Sequence, residues 1–221
     1  VNNSTGLGAG LGNQLVIKNL ETGAITAVTA STSLHIGRGW EMDYQLSADA
    51  RSVAFATSAP LLPGDTDNGF DVYVKNMQTG AVTLASVAPD GSNLTGAMSV
   101  DMSADGRFVT FLSGPSLLQP LGIYWRDMQT GEVRQIPALA TNSPGSYYGS
   151  LRETSGPTIS DDGRFVVFHS VEADNINASY IDLGVRVWDR NTGQIALVSQ
   201  GLDGSAVQGA EAVISGDGRL I

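Results

Sequence analysis

Apolar residues in this chain come in short alternating runs separated by polar, glycine-rich punctuation. Val-Ala-Phe at 53–55, Phe-Val-Thr-Phe at 108–111 and Phe-Val-Val-Phe at 165–168 read as strands with β-branched and aromatic residues turned inward. A shorter strand is expected before each, at 44–47, 100–103, 158–160 and 212–215. Third strands are expected at 15–18, 72–75, 123–126 and 185–188, and fourth strands at 25–29, 82–86, 133–136 and 195–199. No segment carries a 3.6-residue apolar period, so almost no helix is predicted.

The punctuation repeats as well. Ser-Asp-Asp-Gly-Arg-Phe-Val-Val-Phe at 160–168 recurs from Ser47, from Ser103 and, partly, from Ser215, at spacings of 56, 57 and 55 residues. A Thr-Gly pair begins at 22, 79, 130 and 192, at spacings of 57, 51 and 62. The Asp-Gly triplets are hairpin chemistry, because glycine accepts positive φ and aspartate caps the turn. Ala50 stands where the other copies have glycine, which predicts a slightly strained turn. In the Thr-Gly turns the side chains of Asn19, Asn76, Asp127 and Asp189 are expected to accept backbone N–H groups.

Four antiparallel strands recurring about every 55 residues are the signature of a propeller blade, a unit that buries its two faces only against its neighbours. The expected fold is therefore an all-β, β-propeller of four-stranded blades: one domain over 1–221, with repeats at about 30–86, 87–137, 138–199, and 200–221 completed by 1–29. The Ser-x-Asp-Gly-Arg phrase, the segment from Leu62 to Val74 and the Thr-Gly turn together resemble the TolB-type, WD-like β-propeller repeat of bacteria. The resemblance covers nearly the whole chain. It implies the fold and leaves the function open, because such propellers serve as binding platforms, peptidase domains and uronate lyases. Two arrangements of the ends are compatible with the spacing. Either the C-terminal strands complete a blade with the N-terminal ones in a four-bladed ring, or the chain is an excerpt of a longer propeller or assembly.

Composition narrows the function. A hydrophobic content of 42% suits a real core. Twelve basic residues against twenty-two acidic ones give a net charge of −10, with no basic run. A nucleic-acid partner, which needs its phosphates neutralised, is therefore not expected. No stretch approaches the apolar length of a membrane helix, so membrane insertion is not expected. Cysteine is absent, which removes disulfides and thiol chemistry. Richness in Gly, Ser, Thr and Asn with scarce Lys points to an exported bacterial protein, at the periplasm, the cell surface or outside the cell.

Candidate chemistry follows from position. Asp65, Asp67 and Asp71 around a glycine are spaced to turn carboxylates onto one Ca²⁺, although the bidentate glutamate of a helix-flanked calcium loop is replaced by Asn76. The alternative reading is a loop whose Asp and Asn side chains satisfy their own backbone. Asp174, Asn175, Asn177 and Asp182 form a weaker set of the same kind. No other cofactor is expected. Arg51, Arg107, Arg164 and Arg219 occupy one blade position in every repeat, which marks a structural ion pair or stacking role. His35 and His169 are the only histidines, and without a Gly-x-Ser-x-Gly elbow neither reads as a catalytic base. No catalytic residues are assigned. The tight turns fall at one end of each blade, so the long connections at 30–42, 58–70, 87–98, 138–156, 171–184 and 200–211 share the other. Loops of this kind on a rigid ring carry recognition. Arg38, Trp40, Tyr147, Tyr148, Arg152 and Glu153 are the expected contact residues, while Tyr73, Tyr124, Trp125 and Trp188 read as inter-blade core. The expected function is a non-catalytic binding or structural propeller recognising a protein or glycan partner, or a further copy of itself. The alternative is the propeller part of a larger hydrolase or peptidase.

Overall fold

A computed structural model describes residues 15–29, 44–65, 69–114, 122–137, 146–148, 156–174, 179–205, 207 and 212–221. Fifteen strands and no helix occur among them. Strands β3 (Tyr44–Leu46), β4 (Ser52–Thr57), β5 (Asp71–Asn76) and β6 (Val82–Leu84) form one antiparallel sheet in sequential order. Strands β7 (Met98–Met102), β8 (Phe108–Ser113), β9 (Gly122–Asp127) and β10 (Val133–Gln135) form the next in the same order. The third sheet runs β12 (Thr158–Ile159), β13 (Phe165–Asp174), β14 (Ser179–Asp189) and β15 (Ile195–Leu197). Ahead of them all, β1 (Val16–Lys18) and β2 (Ile25–Ala27) pair as a two-stranded sheet.

Each repeated phrase wires its own turn. The Ser103 hydroxyl donates to Asp105 at 2.7 Å and accepts the Phe108 N–H at 2.9 Å, while Asp105 accepts the Arg107 N–H at 2.9 Å. The same three bonds recur from Ser47, Ser160 and Ser215. The serine is buried in the first three copies because its oxygen both gives and receives within six residues. Ala50 adopts φ 56°, the left-handed conformation its position demands, as the missing glycine predicted. The Thr-Gly turns close as expected, with Asn19, Asn76, Asp127 and Asp189 accepting N–H groups two residues on.

The sheets pack face to face in chain order. Alternation along β8 sends Val109 and Phe111 towards the preceding sheet and Phe108 and Leu112 towards the following one. The seams on the two sides of β8 differ in texture. The first is built on the small residues Ala54, Ala56 and Ala85 with Val72 and Val74. The second is built on Phe108, Trp125, Phe168 and Trp188. Turn glycines close three successive junctions: a Cβ on Gly106 would meet Ser52 at 2.8 Å, one on Gly163 would meet Phe108 at 2.0 Å, and one on Gly218 would meet Phe165 at 2.7 Å. Cations stitch them further. Lys75 Nζ donates to the Val28 carbonyl at 2.6 Å, and Arg126 Nη1 donates to those of Leu84 and Ala85 at 2.6 and 3.0 Å.

Three expectations are corrected. The connection read as a loop over 171–184 is instead an extended hairpin, because β13 and β14 stay paired out to Asp174↔Ser179 across a register shift at Ser170/Val171. Part of the expected 138–156 loop is a further strand, β11 (Ser146–Tyr148), which lies along β13. The strand expected at 212–215 does not form: segment 212–221 makes the expected turn, with Ser215 N–H donating to the Leu220 carbonyl at 2.8 Å, without regular strand pairing.

Candidate functional site

The recurring arginines have a defined role. Arg107 makes a bidentate pair with Asp127 at 3.0 and 2.7 Å, and Arg164 makes the same pair with Asp189 at 3.0 and 2.8 Å. Both also lie over the adjacent phenylalanine rings of Phe108 and Phe165. The Arg107 guanidinium holds the Asp127 carboxyl well below the usual carboxylate range, and Arg164 does the same to Asp189, drawing it down to about 2. Arg51 has no such partner, since the facing strand β5 ends in Asn76, and it turns instead to Asp49 at 3.4 Å.

The expected calcium residues are only partly in view. Asp65 is buried and accepts the Tyr73 hydroxyl proton, while Asp71 is buried and accepts from Ser86 Oγ at 2.6 Å. Asp67 lies outside the described residues, and among those described no three His, Asp or Glu side chains gather as a metal would need. Of the weaker set, Asp174 and Asp182 lie on β13 and β14, and Asn175 and Asn177 are outside the described residues. His169 is buried on β13, and His35 lies outside. Of the expected contact residues, Tyr147 and Tyr148 have their backbones paired to Val171 and Ser170 on β13. Arg38, Trp40, Arg152 and Glu153 lie outside the described residues.

Described residues line at least two cavities among the sheets. One, of about 450 Å³, lies where the first strands of the three sheets meet segment 212–216, with Tyr44, Gln45, Asp101, Thr158 and Val213 on its walls. Asp101 faces it across a bulge, next to Ser99 at φ 54°. Its carboxylate is occupied in bridging two sheets, accepting Ile159 N–H at 2.9 Å and Met102 N–H at 2.8 Å. Burial first, and Asp161 besides, raise its pKa.

The other, of about 220 Å³, lies at the long-connection end of the second sheet. Its walls include Asn93, Leu94, Thr95, Ser113, Gln135 and Tyr124. Tyr124 belongs to the core as expected, its ring stacked on Phe111 at 5.5 Å and 13° and the residue only 8% exposed. Its hydroxyl is a different matter. No described residue hydrogen-bonds it, and burial alone pushes its pKa up. Gly122 keeps the space open, since a Cβ there would lie 2.8 Å from Gln135 Nε2 and 2.9 Å from the Tyr124 ring. Sequence reading placed Tyr124 in the core and missed the cavity. The available signal was the connection before it: residues 114–121 are short and contain no Asp or Glu, whereas the corresponding stretch before Tyr73 supplies Asp65.

Fold and geometry define a β-propeller class of protein, built of consecutive antiparallel blades. No family model and no curated protein matches the sequence. Among solved structures, a puromycin hydrolase is similar at 15% identity and TM-score 0.52, over 85% of this chain and 24% of that one. An oligogalacturonate lyase from Vibrio parahaemolyticus is similar at 14% identity and TM-score 0.50, over 84% of this chain and 46% of the other. A candidate TolB from Agrobacterium tumefaciens is similar at 16% identity over 83% of this chain and 87% of its own, with a TM-score of 0.39 that adds nothing to the argument. The chain thus spans less than half the length of the hydrolase and the lyase, and at these identities the likeness concerns the fold alone.

Proposed function

We propose that this chain is a non-catalytic binding propeller, exported by a bacterium, that receives a protein or glycan partner on its long-connection face or along its blade edges. The supporting observation is the uncharged cavity at Tyr124, where a rigid stacked ring holds a hydroxyl that no described residue engages at that face. Cross-linking in the source cells followed by purification of the chain should recover a complex, and the triple variant Trp40→Ala/Tyr147→Ala/Tyr148→Ala should lose it. A complex recovered in equal yield from the triple variant would remove that face from the reading.

The second reading is a propeller domain of a larger hydrolase or peptidase. What favours it is that the matched region is only 24% of the puromycin hydrolase. A catalytic domain adjoining these residues in the open reading frame would establish it.

A further inference from the structure

We infer that the Tyr124 cavity is a subsite for a single neutral sugar ring, a reading that rests on the chain being a binding propeller. The internal repeat provides the reasoning. Tyr73 and Tyr124 hold the same place in consecutive blades, three residues before Asn76 and Asp127, each stacked on its cross-strand phenylalanine. In the first of these blades the chain completes the phenol itself. Tyr73 donates to Asp65 and accepts the Leu61 N–H at 3.3 Å. In the next blade the same hydroxyl lines a cavity and no described residue engages it, so it can donate to a ligand atom that accepts a hydrogen bond.

The walls define the chemistry of that ligand. Apart from the phenol they offer the carboxamides of Asn93 and Gln135 and the hydroxyls of Thr95 and Ser113, with no Asp, Glu, Lys, Arg or His. A cation would find no carboxylate here and could not accept the Tyr124 proton. An anion would find no positive charge and would approach a chain of net charge −10. An apolar ligand would cover the phenol without giving it a partner, which is costly. A sugar hydroxyl both donates and accepts, as do the carboxamides and hydroxyls around it. Leu94 and Gly122 supply the apolar and flat surface that the C–H face of a ring requires. Ser113 Oγ is held by the Thr95 carbonyl at 2.9 Å and Asn93 Nδ2 by the Gly64 carbonyl at 2.7 Å, so these walls are fixed before any ligand arrives.

Saturation-transfer NMR on the full chain with the methyl glycosides of glucose, galactose and mannose at millimolar concentration tests this directly. At least one glycoside should show transfer. Tyr124→Phe should weaken its binding about tenfold while leaving the thermal midpoint in place, and Gly122→Ala should abolish it by filling the space. Three results would each overturn the inference: no transfer from any glycoside, equal affinity in Tyr124→Phe, or tighter binding of galacturonate or N-acetylglycinamide than of every neutral sugar. If the glycosides fail while the cross-linked complex survives, the sugar subsite falls and the binding propeller stands. If the triple variant keeps the complex as well, the long-connection face falls with the sugar subsite and the blade edges remain.

Discussion

The first two complete sheets are built from the same phrases, yet they resolve the same residues differently. In the first, Tyr73 is closed by Asp65 from its own connection, while Arg51 lacks a carboxylate opposite. In the second, Tyr124 is open and Arg107 is locked to Asp127. One sheet places its carboxylate in the connection and the other places it in the turn. A repeat therefore fixes where a side chain stands, and the connecting residues decide whether its polar end is satisfied within the chain or left for something else.

Several substitutions would break or sharpen this comparison. The largest effect belongs to the turn glycines. Ala50 shows that an alanine can hold positive φ in this turn, but at Gly163 a Cβ would lie 2.0 Å from the Phe108 ring. Gly163→Ala should cost about 3 kcal/mol in urea denaturation, from overpacking and backbone strain together. A loss below about 1 kcal/mol would mean that the aromatic seam yields easily.

Next comes the pair of tyrosines. Tyr73→Phe leaves the buried Asp65 without its donor and should cost about 2 kcal/mol. Tyr124→Phe removes a hydroxyl that no described residue engages and should change stability by less than about 0.5 kcal/mol. Equal losses from both would erase the distinction between the blades.

The arginine comparison is smaller. Asp127→Asn keeps the turn, as Asn76 does, but loses the bidentate pair and should cost about 1 kcal/mol at neutral pH. The Asp127 pKa is depressed in the folded state, so the pair's contribution is complete above the unfolded carboxylate value near 4. It is lost as pH falls through the lower folded value, so the stability curves of wild type and Asp127→Asn should draw together in acid. Curves that stay parallel from pH 5 to pH 2 would remove the ion pair from the account. The smallest effect is Ala50→Gly, which should stabilise by about 0.5 kcal/mol by relieving the positive φ, read as a rise in thermal midpoint.

The strands were legible because each apolar run has a period of two and each turn carries glycine and aspartate at fixed offsets. The blade position of the arginines was legible too, since Asp127 and Asp189 end the third strand in two copies and Asn76 ends it in another. The extended β13–β14 hairpin was not. Residues 171–184 read as a long connection, whereas Gly184 takes φ 83° and pairing continues across the register shift. Nor was the Tyr124 cavity legible, because composition alone gives tyrosines at matched positions the same environment. What sets Tyr73 apart is Asp65, delivered to its phenol by a separate connection, a contact between segments that period and propensity do not encode.

The glycine-on-aromatic seams carry a consequence for how such a chain can change over generations. The side chain that forbids a Cβ at Gly163 belongs to the preceding blade, and the same holds for Gly106 against Ser52 and Gly218 against Phe165. Mutational tolerance at each turn is therefore set one repeat upstream. Recombining or duplicating blades would succeed only when the cut keeps each turn with the face it covers, so the heritable module is the junction between two sheets rather than either sheet.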